Sequence, residues 1–345
     1  MSVYRKNMIT NDWVIFAPNR ASRPMELKSK DSGDNVDLFK ERPVYKPSCP
    51  FCPGNEKPED RELFRIGNGD HWKVRILENK YSSVDRNVEP VRRQEHLFKE
   101  MDGFGIHDVI VENPAHNKTL AIFTHEELLD LLQAYLERAK QIKTIASVRH
   151  IVIFKNQGSR AGGSLEHPHS QIYGLPLVPF ETQIRLREMD RYHDINDNCM
   201  LCDMIKGEQE RGARIIYQNE HFVCLSPFAA LSPYHFWVMP KKHSPSFLLT
   251  EPEEMESLAD CMKTIFGKLF VCLRNPDFNY VFQSLAMFER ERHYFHWYLS
   301  VIPQVKHKGG LEYAGGFYVN PVMPETAALE LRNADASLAA QLLER

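Results

Sequence analysis

No run of 18 or more apolar residues occurs in the 345-residue chain, so no membrane-spanning helix is expected. The start, MSVYRKNMITNDWVIFAP, has neither the apolar core nor the small-residue cleavage site of a secretory signal. An excess of either charge is also missing. The net charge of −3 gives no footing for non-specific attachment to nucleic acid. Cysteine is sparse and odd in number, seven in all, which argues for a reducing, cytoplasmic compartment. Cys224, Cys261 and Cys272 sit in apolar or helical surroundings and read as small core residues. The remaining composition, 43% hydrophobic and 26% charged, suits a soluble chain long enough for two domains.

The pattern along the chain is α+β. Strands are predicted at DWVIFAP, WKVRILENKYSSV, HDVIVENP, HIVIFKNQG and HSQIYGLP. THEELLDLLQAYLERAKQIKTI is the clearest helix, with Thr124 as N-cap and Glu127 at the capping-box position. ETQIRLREMDRYHD reads as a helix-prone connector, and then the pattern restarts. CMLC leads into the strands ARIIYQ, HFVCLSP and HFWVMPKKH. A long helix follows over EPEEMESLADCMKTIFGKLFVCL, then the strands NYVFQSL and YFHWYLSVIP. Two tandem domains are expected, 1–190 and 191–345, each an antiparallel sheet carrying one long helix.

The repeat aligns particular residues. Each half begins with a CxxC pair, Cys49/Cys52 and Cys199/Cys202. His116 matches His243, and His167 matches His296, the two histidines lying 51 positions apart in the first half and 53 in the second. Two thiols at i and i+3 can share an ion across a tight turn, and two distant imidazoles complete a tetrahedron. The predicted zinc sites are therefore Cys49, Cys52, His116 and His167, and Cys199, Cys202, His243 and His296. Four protein ligands leave no open position, so both sites are expected to be structural. A redox reading of CxxC lacks a thioredoxin-like context. The pairs also lie too far apart to form one zinc ribbon.

GGSLEHPHSQIYGLP puts His167, His169 and Gln171 on one side of a strand, because alternate residues share a face. If His167 is tied to an ion, His169 is held beside it. A fixed neutral imidazole is a competent nucleophile toward phosphorus. Gln171 and the Ser164 hydroxyl supply donors for phosphoryl oxygens, and Gly162 and Gly163 are expected to bring backbone N–H groups close to an anion. In the second half the matching positions hold Tyr298 and Ser300. That half keeps the metal ligands and lacks the nucleophile.

CPFCPGN, ENPAHNKTL, NQGSRAGGSLEHPHSQIYGLP and NEHFVCLSPFAALSPYHFWVMPKKH resemble the galactose-1-phosphate uridylyltransferase family, of the histidine-triad superfamily. The resemblance runs over nearly the whole chain. It implies a double displacement with His169 as nucleophile and Gln171 as stabiliser, acting on a nucleotide sugar with a sugar 1-phosphate or phosphate as second substrate. It also implies that Arg20 and Arg23 in APNRASRP meet phosphates, that Asn79 and Asn156 lie near the nucleotide, and that Glu312 accepts from sugar hydroxyls. Leu311 stands where the family usually has phenylalanine. A homodimer is implied as well. The single histidine of HWYLSVIPQ and the second CxxC resemble the two-zinc branch that includes ADP-glucose phosphorylase, so the base, sugar and acceptor stay open: uridylyl transfer to a sugar 1-phosphate is the first reading and adenylyl transfer to phosphate the second. A histidine-triad hydrolase usually carries a third histidine where Gln171 stands. A nucleotide-binding module without chemistry would not need HPHSQ.

Overall fold

Thr124 caps the first long helix as its sequence predicts: its hydroxyl accepts from the Glu127 N–H, and the Glu127 carboxylate accepts from the Thr124 N–H. The computed structural model describes residues 1–22, 35–69, 71–286, 293–306 and 309–344. Arg23 lies outside the described residues. The first half contains β1 (Val3–Lys6), β2 (Trp13–Phe16), α1 (Asn35–Lys40), β3 (Glu62–Asn68), β4 (His71–Glu78), β5 (Arg92–Glu95) and β6 (Phe98–Met101). It continues with β7 (Ile106–Val111), α2 (His125–Lys143), β8 (His150–Gln157), β9 (His169–Leu175) and the connector α3 (Phe180–Asn196). The second half contains α4 (Met200–Arg211), β10 (Ile215–Gln218), β11 (Phe222–Leu225), β12 (Phe236–Pro240), α5 (Pro252–Leu273) and β13 (Phe278–Gln283). It ends with β14 (Tyr298–Pro303), α6 (Gly310–Gly315), β15 (Tyr318–Asn320), α7 (Pro324–Asn333) and α8 (Leu338–Glu344).

The two halves share a single sheet. Its ten strands run β10-β11-β12-β14-β13-β8-β9-β7-β4-β3. Five consecutive strands come from each half, and the two orders mirror each other about the seam between β13 and β8. At that seam Val281 faces Phe154, Tyr280 faces Lys155 and Asn279 faces Asn156. The mixed α+β class read from the sequence is therefore correct, and the two antiparallel sheets are joined edge to edge. Pairing hides the open edge of each inner strand, which would otherwise expose unpaired N–H and C=O groups.

One face of the sheet is covered by α2 and α5. On α2, Leu128, Leu131, Leu132, Tyr135, Ala139 and Ile142 are buried at helical spacing. On α5, Met255, Leu258, Met262, Ile265, Phe266 and Leu269 do the same. The strands supply Ile151, Ile153, Ile172, Tyr280 and Phe282 to this common core. The opposite face of β8 and β9 carries the half-exposed Phe154, Asn156, Gln171 and Tyr173. No described helix is long and apolar enough to cross a membrane.

The structure differs from the sequence reading after the second CxxC. The strand read at ARIIYQ is present as β10, but a helix that the sequence reading does not name lies between it and CMLC: Cys199 is the N-cap of α4 and Cys202 lies in its first turn. Met200, Leu201, Ile205 and Glu208 form the buried stripe, and Gly212 in the left-handed region ends the helix at φ 69°. The stripe is only three turns long and begins inside the CxxC pair, which masks its period. Cys224 and Cys261 are buried, as expected of core cysteines, while Cys272 is half-buried.

Candidate active site and metal centres

His167 sits between two fixed points. Its Nδ1 lies 3.7 Å from Cys49 Sγ and 3.6 Å from Cys52 Sγ. Its Nε2 is 2.8 Å from the Asn113 carbonyl, which can only accept. The ring proton is therefore on Nε2, and Nδ1 presents a lone pair to the thiols. The Nδ1 of His116 is 3.5 Å from Cys52 Sγ. An ion at ordinary metal–sulfur and metal–nitrogen bond lengths, with tetrahedral angles, sets sulfur and nitrogen about 3.5 Å apart. The four donors fit that figure and are all buried.

The second cluster repeats the arrangement. Cys202 Sγ is 3.4 Å from Nδ1 of both His243 and His296. His296 Nε2 donates to the Pro240 carbonyl at 2.9 Å, as His167 does to Asn113. These outer hydrogen bonds fix the tautomer that a metal ligand requires. A hydrogen bond from Cys202, with His243 and His296 adding to it, holds the Cys199 thiol far below its usual pKa, while the Cys202 thiol is pushed up.

His169 opens β9 one strand-period beyond His167. Its Nδ1 donates to the His167 carbonyl at 2.8 Å, which leaves Nε2 as the unprotonated nitrogen. Burial, reinforced by the Lys155 ammonium, holds the ring below its ordinary pKa, so it is neutral at pH 7. The edge of Phe51, from the first CxxC turn, lies against it at 5.6 Å between ring centres. His169 lines a cleft of about 350 Å³ together with Lys155, Asn156, Gly163, Ser164 and Arg42. Asn156 and Ser164 therefore line the same cleft as the candidate nucleophile.

Gly163 is at the cleft wall, next to Gly162, for a reason other than the one expected. Their N–H groups already donate within the loop, to the carbonyls of Ser159 and Gly158 at 3.0 and 2.9 Å. They are not free donors to an anion. Gly162 has φ +85°, and a Cβ on Gly163 would come within 2.8 Å of the Asn156 and Gly158 carbonyls. The glycines let the loop fold back on β8.

Gln171 projects from β9 on the same face as His169, and its Oε1 is 2.8 Å from His107 Nε2. That nitrogen also lies 2.9 Å from Asn79 Nδ2. His107 stacks on Tyr173 with 3.9 Å between ring centres. Asn79 and His107 line an adjoining cavity of about 520 Å³. His107 is a link that the sequence reading missed, although its period-two spacing with Val109 and Val111 put it on the open face. Asn279 is a second omission. From the other half its amide donates to Asn156 Oδ1 and to the Ala161 carbonyl, both at 2.8 Å.

The structure does not bring Arg20 or Glu312 to the cleft of their own chain. Arg20 is exposed in a turn after β2, and Glu312 accepts from Lys306 Nζ at 3.0 Å and from the Gly309 N–H at 2.9 Å. In the second half, Tyr298 and Ser300 are buried. Tyr298 packs on Trp237 at 4.8 Å, Ser300 bonds His235 Nε2 at 2.9 Å, and Arg185 of α3 hydrogen-bonds Tyr298. The position matching the nucleophile is therefore closed by the connector helix.

Residues 1–179 match the family described as galactose-1-phosphate uridyl transferase, N-terminal domain. ADP-glucose phosphorylase of Arabidopsis thaliana is 37% identical over 95% of this chain and 92% of its own. The galactose-1-phosphate uridylyltransferase of Thermotoga maritima is 27% identical over 98% of this chain and 100% of its own. The crystal structure of the Arabidopsis ADP-glucose phosphorylase with bound ADP-glucose superposes with a TM-score of 0.83 and 34% identity, covering 97% and 99% of the two chains. A uridylyltransferase structure superposes at 0.74 with 26% identity, covering 97% and 98%. With HPHSQ at the start of β9 and a match spanning both halves, the chain belongs to the galactose-1-phosphate uridylyltransferase family and is a nucleotidyltransferase of that type.

Proposed function

We propose that the chain moves a nucleoside monophosphate from a nucleotide sugar to a phosphate-bearing acceptor through a covalent nucleotidyl-His169. The observation that carries this reading is the His169 ring itself, neutral, with Nδ1–H on the His167 carbonyl and Nε2 left to the cleft. In the first half-reaction the Nε2 lone pair attacks the α-phosphorus. The bond from phosphorus to the bridging oxygen breaks, and the sugar 1-phosphate leaves with that electron pair. The ring becomes positive, and the His167 carbonyl stabilises its Nδ1–H. In the second half-reaction an acceptor phosphate oxygen attacks the same phosphorus, the P–N bond breaks, and neutral imidazole returns. Gln171 and Ser164 supply donors to the phosphoryl oxygens, where charge builds in both transition states. Asn156, held by Asn279, positions the substrate from β8.

Zinc is the proposed occupant of both clusters, because two thiolates and two imidazoles in a closed tetrahedron suit it. Its part is to hold the strand start and the CxxC turn in place, with no position open to substrate. The proposed substrate pair is an ADP-sugar with inorganic phosphate, supported by the 37% identity to ADP-glucose phosphorylase. Uridylyl transfer from a UDP-hexose to a hexose 1-phosphate is the second reading, supported by full-length similarity to the Thermotoga enzyme. An exchange assay over ADP- and UDP-sugars, each with phosphate or hexose 1-phosphate, separates them. ADP-glucose with phosphate is expected to be the fastest pair. Turnover confined to UDP-sugars and hexose 1-phosphates would reverse the order, and rapid nucleotide release without acceptor would make the enzyme a hydrolase. The proposed assembly is a homodimer, which light scattering would read as twice the 40.1 kDa chain mass.

A further inference from the structure

A buried ion pair lies behind the candidate nucleophile, on the side of the sheet covered by α2. Lys155 of β8 and Glu112, just beyond β7, have side chains 1% and 0% exposed, with Nζ 2.6 Å from Oε2. The same ammonium donates to the His169 carbonyl at 2.9 Å. Tyr135 of α2 donates to Glu112 Oε1 at 3.3 Å and to Ser170 Oγ at 2.6 Å. Tyr280, which faces Lys155 across the seam from the second half, hydrogen-bonds Tyr135. The Glu112 N–H donates to the Pro168 carbonyl at 3.0 Å. The main chain on both sides of the peptide entering His169 is therefore tied to this pair.

Stability alone does not account for it. Removing two charges from water is costly, and apolar residues of similar size usually serve a core as well. The duplication provides the comparison. Phe154 faces Gln171 across β8 and β9, and Val281 faces Ser300 across β13 and β14. The next residues, Lys155 and Phe282, are therefore equivalents. At the corresponding end of β12, neither Met239 nor Pro240 carries a charge. Leu299 stands where Ser170 does. The half with Tyr298 in place of the nucleophile builds the same layer from apolar side chains, while the half with His169 keeps the charged pair.

We infer that Lys155 is a positioning residue for nucleotidyl transfer: anchored by Glu112, it holds the His169 carbonyl and so keeps the imidazole aimed at the α-phosphorus. The Nδ1 bond to the His167 carbonyl sets the ring's rotation, and the Lys155 bond sets the backbone from which the ring projects. Tyr280 makes the second half a support for this anchor. A displacement of about 1 Å at a reacting atom can cost on the order of 100-fold in rate.

This inference rests on His169 being the nucleophile, and the test keeps the two apart. Lys155→Met alone leaves Glu112 buried without its partner and invites misfolding, so the main variant is Lys155→Met with Glu112→Gln. Labelled nucleotide sugar is mixed with wild type, the double variant and Lys155→Arg, and the half-reaction is quenched at saturating donor. Donor affinity, metal content and melting temperature are measured alongside. The double variant is expected to keep its metals, to bind donor within about threefold of wild type, and to take label roughly 10- to 100-fold more slowly. Lys155→Arg is expected to be faster than the double variant, because it restores a cation to the Glu112 and His169 oxygens. A double variant that labels at the wild-type rate, whatever its melting temperature, overturns the inference. So does one whose defect appears in donor affinity with the saturated rate unchanged. Label that persists in His169→Ala would instead remove the nucleophile assignment itself.

Discussion

His169→Gly loses nucleotidyl transfer by at least about 10,000-fold, and the variant takes no covalent label from a nucleotide sugar. The magnitude follows from the role. Removing a nucleophile removes the two-step route, and what remains is binding and electrostatic help, as when a member of a catalytic triad is deleted. The variant is expected to fold. His169 is buried, but among the described residues its side chain hydrogen-bonds only to the His167 carbonyl, and the first Cys2His2 cluster is untouched. Donor affinity should therefore change little while the chemical step disappears, which is the signature of a group acting only on the way to the transition state. The measurement is incubation with labelled donor, quenched in alkaline denaturant and read on denatured protein. Wild type should carry about one nucleotide per chain, released by acid as a phosphoramidate is. Equal labelling of His169→Gly would mean that another side chain is the nucleophile. His107 would be the next to test, since its ring contacts both Gln171 and Asn79.

Much of this site was legible because its residues are close in sequence or fixed by the repeat. His167, His169 and Gln171 sit at alternate positions of one strand, so their shared face follows from the pleat alone. The two Cys2His2 sets were readable because the same four residues recur in order, and all eight converge. The fold class followed from apolar periodicity. What stayed hidden depends on pairings made over long sequence distance. Asn279 bonds Asn156 across 123 residues, and Tyr280 reaches Tyr135 across 145. Nothing local in NYVFQ marks either residue. Lys155 in FKNQG reads as a surface lysine between partly exposed neighbours, yet it is 1% exposed because α2 covers its face. The glycine loop shows the converse. Its composition suggested free backbone donors, but the left-handed turn at Gly162 directs the chain so that those donors are used internally.

Loss of the two metal clusters should have unequal consequences, although their donor geometry is nearly the same. With the proposed ion bound, each would tie a CxxC segment to two distant strands, and removing a ligand would release an ion whose binding is coupled to folding. Structural zinc contributes about 10–16 kcal/mol in isolated fingers. A large core already orders most of these ligands, so only part of that should be lost here. A loss on the order of 5 kcal/mol corresponds to a drop in melting temperature of roughly 10–20 °C for a unit of this size. Cys52→Ser and Cys202→Ser should both lose one metal per chain and both fall within that range. Their activities should separate. In the first cluster His167 is at once a ligand and the residue whose carbonyl holds Nδ1 of His169. Freeing it lets the nucleophile turn, and transfer by the folded protein should fall at least about 100-fold. In the second cluster His296 leads to Tyr298, which is buried against Trp237 and hydrogen-bonded by Arg185 of α3. The folded Cys202→Ser protein, assayed well below its melting temperature, should stay within about threefold of wild type. The decisive comparison is the labelling rate per folded molecule, with metal content measured on the same samples. A Cys52→Ser protein that has lost one metal yet labels at the wild-type rate would show that the imidazole is held by the strand alone. Equal loss of rate in both variants would mean that the second cluster acts on the chemistry through the shared sheet, across the β13–β8 seam.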